Sequence, residues 1–326
     1  MTGYLIRRLV GVVPVLLTST ALVGVLMFLL PGDPARLMAG GQGADPEVLR
    51  AIRTELRLDD PAWLQFARYL GRLTGGDLGT SYLQGRPVSA VLRDHIVPTL
   101  VLACAAAALA SIAGVALGAF AAARRGRAAG LLVLTLAVLG ASTPVFWLAL
   151  LLMLVFAARL RWFPVLGYGT DGWMLPVIGT RLPEWDHLVL PAVTLALVTM
   201  GAIARVTRAS LVETGGHEFL RAAAARGAGR GRIFLRHALR NSLVPVLTVL
   251  GLNLASLLGG AVATEFVFAW PGLGKALVRA IALRDVPVVE GCVLLLTFVY
   301  VLASLAVDLL YPLVDPRMMG TSGDSA

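Results

Sequence analysis

Charge is what this 326-residue chain has least of: only 14% of its residues are Asp, Glu, Lys or Arg, against 58% apolar, and its mean hydropathy is +0.82. A soluble domain carries about 25% charged residues, and a disordered one carries more, so both classes are excluded. Lysine is nearly missing, since Lys275 is the one lysine among 28 basic residues. Cysteine is also scarce. Cys104 and Cys292 both lie in apolar runs, which excludes a disulfide-stapled scaffold and reads as two small packed or lipid-facing side chains. Histidine occurs four times, at His95, His187, His217 and His237, scattered over connections with no second ligand evident at helical spacing, so no metal site is expected.

What is present is apolar length. Six stretches, 9–30, 98–121, 131–156, 188–204, 242–264 and 288–311, match the roughly 17–25 residues that a helix needs to cross a hydrocarbon core about 30 Å thick. The first follows Arg7 and Arg8, but its run from Leu9 to Leu30 exceeds the about 7–15 residues of a signal-peptide core, which predicts a retained helix. Pro144 falls inside the third run, after Ser142 and Thr143, and predicts a kink there. Glu290 and Asp308 bracket the sixth.

The arginines orient these spans. Arg124, Arg125 and Arg127 fill one short connection, and eight arginines against Glu213 and Glu218 fill the loop at 205–241. Basic loops stay in the cytoplasm, so both connections and both termini are expected there. This topology puts fourteen basic and five acidic residues inside and fourteen of each outside, so the whole formal excess of +9 lies on the cytoplasmic side. It is orientation and loop charge, with no pointer to nucleic acid. The outer connection at 31–97 is too long for a turn and balances eight arginines with eight carboxylates. Asp45-Pro46-Glu47 and Asp60-Pro61 read there as helix starts, each with a capping carboxylate before a proline at the first helical position. With Val48, Ile52 and Leu56, and then Phe66 and Leu70, at four-residue spacing, the segment predicts a small helical subdomain on the outer face. The outer loop at 158–187 leaves a short re-entrant segment open.

Nucleotide chemistry is not encoded in recognisable form. Gly272-Leu273-Gly274-Lys275-Ala276 has no hydroxyl residue after the lysine, and Ala269 stands where the phosphate loop needs its first glycine. Gly227-Ala228-Gly229-Arg230-Gly231 lacks the third glycine of a dinucleotide fingerprint. No paired catalytic constellation is evident, and neither are the inverted repeat and mid-membrane ionisable groups of a self-contained secondary transporter. The informative loop is 205–241. After Gly215-Gly216, the run from Glu218 through Phe219, Arg221 and four alanines (Ala222 to Ala225) to Gly227 predicts a short helix outside the membrane, ended by a glycine suited to the left-handed position. Its alanines give a smooth face for a partner, with Glu218 and Phe219 as charge and anchor. A second helix should present Arg232, Arg236 and Arg240 at four-residue spacing, a stripe that suits anionic lipid.

Arg221-Ala222-Ala223-x-x-x-Gly227 resembles the Glu-Ala-Ala loop of the membrane permeases of bacterial ATP-binding-cassette importers, with arginine in place of glutamate. Through nearly the whole chain the likeness is to the B-type subunit of the dipeptide, oligopeptide and nickel branch. It runs through Pro31-Gly32-Asp33-Pro34, Gly76-Asp77-Leu78-Gly79-Thr80-Ser81, Ser142-Thr143-Pro144-Val145-Phe146, His187-Leu188-Val189-Leu190-Pro191-Ala192, His237-Ala238-Leu239-Arg240-Asn241, Phe268-Ala269-Trp270-Pro271-Gly272-Leu273-Gly274 and Asp315-Pro316-Arg317. The resemblance implies an all-α integral membrane protein with six transmembrane helices in the importer permease fold, in the bacterial cytoplasmic membrane. Its parts are an N-terminal helix (1–30), an extracytoplasmic helical loop (31–97), a five-helix core with the coupling loop (98–312) and a cytoplasmic tail (313–326). It implies a permease and no enzyme: a second homologous permease shares the substrate path, two separate ATPase subunits carry ATP and magnesium, and a substrate-binding protein docks outside. Glu218, Phe219, Arg221, Ala222, Ala223 and Gly227 are then the coupling-loop residues. Ser142, Thr143 and Pro144 in the third span and Thr248, Asn253 and Ser256 in the fifth are candidates for the path, with helix-to-helix bonding as their alternative use. Gly114 and Gly118 read as packing. Peptides are the expected cargo, with nickel or another small solute as alternatives.

Overall fold

The computed structural model describes residues 2–29, 34–39, 45–169, 172, 174–175, 180–215, 217–227 and 229–314. Its helices are α1 (Thr2–Leu29), α2 (Pro34–Met38), α3 (Pro46–Leu56), α4 (Ala62–Thr74), α5 (Val88–Ala123), α6 (Ala128–Ser142), α7 (Val145–Leu152), α8 (Trp185–Thr214), α9 (Glu218–Ala225), α10 (Arg230–Arg232), α11 (Arg240–Val267), α12 (Leu273–Leu283) and α13 (Val286–Val314). Wider π-helical turns continue α7 over Met153–Arg159 and lead into α11 over Ile233–Leu239. Two residue pairs, Met174–Leu175 and Thr180–Arg181, form a minimal antiparallel hairpin, so the protein is in substance all-α.

Each of the six apolar stretches coincides with helix. In α5, α8 and α13 a single helix is long and apolar enough to span, as Val88–Ala123, Trp185–Thr214 and Val286–Val307. The third stretch is α6 and α7, bent by 110° at the break, and the fifth is α11, bent by 50° between Pro245–Asn253 and Leu257–Val267. In the first, Val13–Leu26 is apolar helix.

The chain divides into two units. One comprises Met1–Leu100, Trp173–Leu182 and Ala269–Val301. Its core is formed by Val88, Val91 and Leu92 of α5, Leu273 and Ala280 of α12, and Val288, Val289 and Cys292 of α13. The connection before α5 is tied down by polar bonds. Asp285, 2% exposed, accepts from the Ser81 hydroxyl and from the Tyr82 amide (3.0 Å), while its carbonyl receives Val289 N–H at 3.0 Å in the first turn of α13. Trp270 is fully buried and donates its indole N–H to the Pro98 carbonyl (3.0 Å), and Leu273 N–H donates to Thr99 Oγ1 (2.8 Å).

The connection between α1 and α5 is helical, carrying α2, α3 and α4. Asp45 caps α3 as expected, accepting from Glu47 N–H at 2.9 Å with Pro46 at the first helical position. Asp60 does not cap α4. Pro61 holds the cap position without a side-chain bond, because Asp60 pairs instead with Arg68, and Gln65 Nε2 donates to the Asp60 carbonyl at 2.8 Å.

The other unit comprises Val101–Gly172, Pro183–Phe268 and Leu302–Ala326. Here α8 is the hub, packed by α6, α7 and α11. Helices in lipid gain no water-driven attraction, so close backbone approach decides where they meet. A Cβ at Gly118 would stand 2.5 Å from the Ala204 carbonyl, and one at Gly114 would stand 2.8 Å from Ile203 Cβ. On an adjacent face of α8, Gly140 lies against the Leu197 carbonyl, and Gly201 admits the carbonyl of Ala137. The buried hydroxyls of Thr194 and Thr207 return 2.8 Å bonds to the carbonyls of Leu190 and Ile203, which satisfies them within α8.

Candidate functional site

The loop expected to couple the permease to its ATPase begins where α8 ends. Gly215 closes that helix with its N–H on the Leu211 carbonyl (3.0 Å), and His217 N–H turns back to Thr214 (3.0 Å). α9 then runs over Glu218–Ala225, the residues expected, and Arg226 N–H closes it on Ala222 at 3.2 Å. Gly227 follows with φ +82°, the left-handed geometry that a β-carbon resists, and open space surrounds its Cα. Glu218, Ala222, Ala225 and Arg226 are exposed. The side chains of Phe219, Arg221 and Ala223 lie outside the described residues.

A helix does lead into the fifth span: Arg230–Arg232 is α-helical, Ile233–Leu239 is a π turn and Arg240 opens α11. The side chains of Arg236 and Arg240 lie outside the described residues.

At the break in the third span, Thr143 ends α6 and Pro144 begins α7. Proline cannot donate to the Gly140 carbonyl four residues back, and Thr143 N–H takes that carbonyl instead at 3.3 Å. Ser142 and Thr143 bond their hydroxyls to the carbonyls of Val138 (3.1 Å) and Leu139 (2.8 Å), so both are satisfied within α6. Directly after the break, Val145 meets α11: a Cβ at Gly260 would lie 3.6 Å from Val145 Cγ2. In α11 itself, Asn253 Nδ2 donates to the Val249 carbonyl at 2.8 Å, Thr248 is exposed, and the Ser256 side chain lies outside the described residues. Thus the structure brings the Pro144 break onto the fifth span, while the hydroxyls at 142 and 143 and the amide at 253 serve their own helices.

The sequence reading missed two anchors in this protein and one cluster. Ser81 with Asp285 and Trp270 with Pro98 join residues far apart in sequence, and no spacing announces them. The cluster had a signal: Glu184 stands three residues before His187, one helical turn, and the structure groups both with Asp186.

Two family descriptions cover almost the whole chain. Residues 114–320 match the binding-protein-dependent transport system inner membrane component, and residues 1–103 match the N-terminal part of such membrane components. The glutathione transport system permease protein GsiC of Salmonella paratyphi A is 40% identical over 318 residues, covering 98% of this chain and 99% of its own. A putative peptide transport system permease protein of Brucella suis is 41% identical with the same coverage. With the family match extending over both the broken third span and the coupling loop, the chain belongs to the binding-protein-dependent transport system inner membrane components, the multi-pass permeases of ATP-binding-cassette importers.

Proposed function

We propose that this chain forms one half of a translocation pathway for peptides, paired with a homologous permease, driven by two cytoplasmic ATPase subunits and supplied by an extracytoplasmic binding protein. The observation that carries the coupling role is α9, a helix of two turns set in sequence between α8 and α11, packed on the π turn that leads into α11 and closed by a left-handed glycine. A helix so placed can seat in a groove of an ATPase subunit and act as a lever on both spans. ATP and magnesium belong to those partners, and both termini of the chain lie in the cytoplasm. Glutathione and peptide transport in the names of the relatives supports a peptide cargo.

The lever is tested by Gly227→Val. A β-branched residue at φ +82° is strained, and open space around the position leaves folding of the bundle unaffected. Uptake in reconstituted complexes should be lost while the permease remains in the membrane, and transport at the parental rate overturns the assignment. For the cargo, a peptide-loaded binding protein should stimulate ATP hydrolysis in the complete complex. Stimulation by a nickel or sugar receptor instead rejects peptides.

A further inference from the structure

One cluster of side chains has no part in that reading. At the head of α8, Glu184, Asp186 and His187, all half-buried, each bring a donor atom to within 4.8 Å of the others. Glu184 and His187 stand three residues apart, on one face of the first turn. Asp186 uses Oδ1 to accept from His187 N–H at 3.0 Å, which leaves Oδ2 for another partner. The preceding loop is shaped around two of the three. A Cβ at Gly169 would lie 2.5 Å from Glu184 Cδ, one at Gly167 would lie 3.6 Å from His187 Cε1, and Glu184 N–H holds the loop at the Tyr168 carbonyl (3.2 Å).

Carboxylates at a helix N-terminus are favoured by the macrodipole with no ligand at all. That account covers Glu184 and Asp186 and leaves out the imidazole. One imidazole nitrogen with two carboxylate oxygens is a mixed donor set that suits borderline transition metals, and it differs from the all-oxygen sets of calcium and magnesium. Ligand atoms about 2.0–2.2 Å from such an ion stand roughly 3.3–3.5 Å apart in a tetrahedron, so side-chain rotations of about 1 Å close the site.

We propose that Glu184, Asp186 and His187 bind a divalent transition-metal ion of the zinc or nickel type at the head of α8, with a fourth position open to water. The site stands apart from the cargo assignment and holds whether or not that assignment fails. Zinc is the probe. The purified full-length permease in detergent should take up one zinc per chain in equilibrium dialysis, and equal magnesium should not displace it. Glu184→Gln, Asp186→Asn and His187→Gln should each weaken binding at least about 10-fold, the lower end of what is lost when a residue that merely orients a metal ligand is changed. The two carboxylate variants are near-isosteric, so they carry the test if His187→Gln fails to fold. No stoichiometric uptake by the parent overturns the site, as does unchanged affinity in all folded variants, which would place the zinc on His95, His217 or His237.

Discussion

A single methyl group separates tolerance from clash at several positions here. Gly118→Ala puts a carbon against the Ala204 carbonyl, a backbone atom that cannot rotate away, and should cost about 1–3 kcal/mol by overpacking, read as a lower unfolding temperature in detergent. An alanine at Gly71, exposed within α4 with nothing within 4 Å, should instead raise that temperature through helix propensity, by up to about 1 kcal/mol, and serves as the contrast. Tyr69 makes the opposite case. It is 3% exposed and its hydroxyl has no hydrogen-bond partner among the described residues; burial pushes the phenol well above its ordinary range, with the Glu290 carboxylate adding and Arg72 opposing. Removing an unpaired buried hydroxyl forfeits no bond, so Tyr69→Phe should be neutral or stabilising by up to about 1 kcal/mol. A loss of stability in the same unfolding assay contradicts this. Gly114, Gly118 and Gly227 were legible as sequence because each has one dominant use, close packing or a left-handed end. Asp60 was misread because a carboxylate before proline suits a cap equally well whether or not an arginine stands eight residues on.

Elements were legible where periodicity or punctuation marks them. Pro144 announces the break in the third span, and Gly227 announces the end of α9. The 110° angle and the π turns do not show in the sequence, because they arise from how neighbouring helices meet. The segment before α5 is similar. Its glycines and Asp77 mark a turn, with Gly79 N–H on Asp77 Oδ1 at 2.8 Å, yet what fastens the turn is Asp285, more than two hundred residues away. Ser81→Ala removes a hydrogen bond to that buried carboxylate and should destabilise by about 1.5–3 kcal/mol. Thermal unfolding reads this directly, and a change within about 0.5 kcal/mol means that the Tyr82 amide alone holds the carboxylate.

At the scale of the whole molecule, the distribution of arginine carries the orientation. Basic connections held inside predict that a fluorescent protein fused after residue 314 lights up in the cytoplasm, whereas alkaline phosphatase at the same point stays inactive. The reverse pattern would invert every loop assignment, that of α9 included. Leu131, Leu132, Leu136 and Leu139 of α6 are each more than half exposed in the isolated chain, which in a membrane is a face for lipid or for another subunit. The glycine contacts around α8 bear on motion as well as on stability. Where a glycine of one helix faces a carbonyl of the next, as Gly118 faces Ala204 and Gly140 faces Leu197, no rotamer at that point can change to take up a displacement. At those two points α8 meshes with its neighbours like gears cut with little backlash.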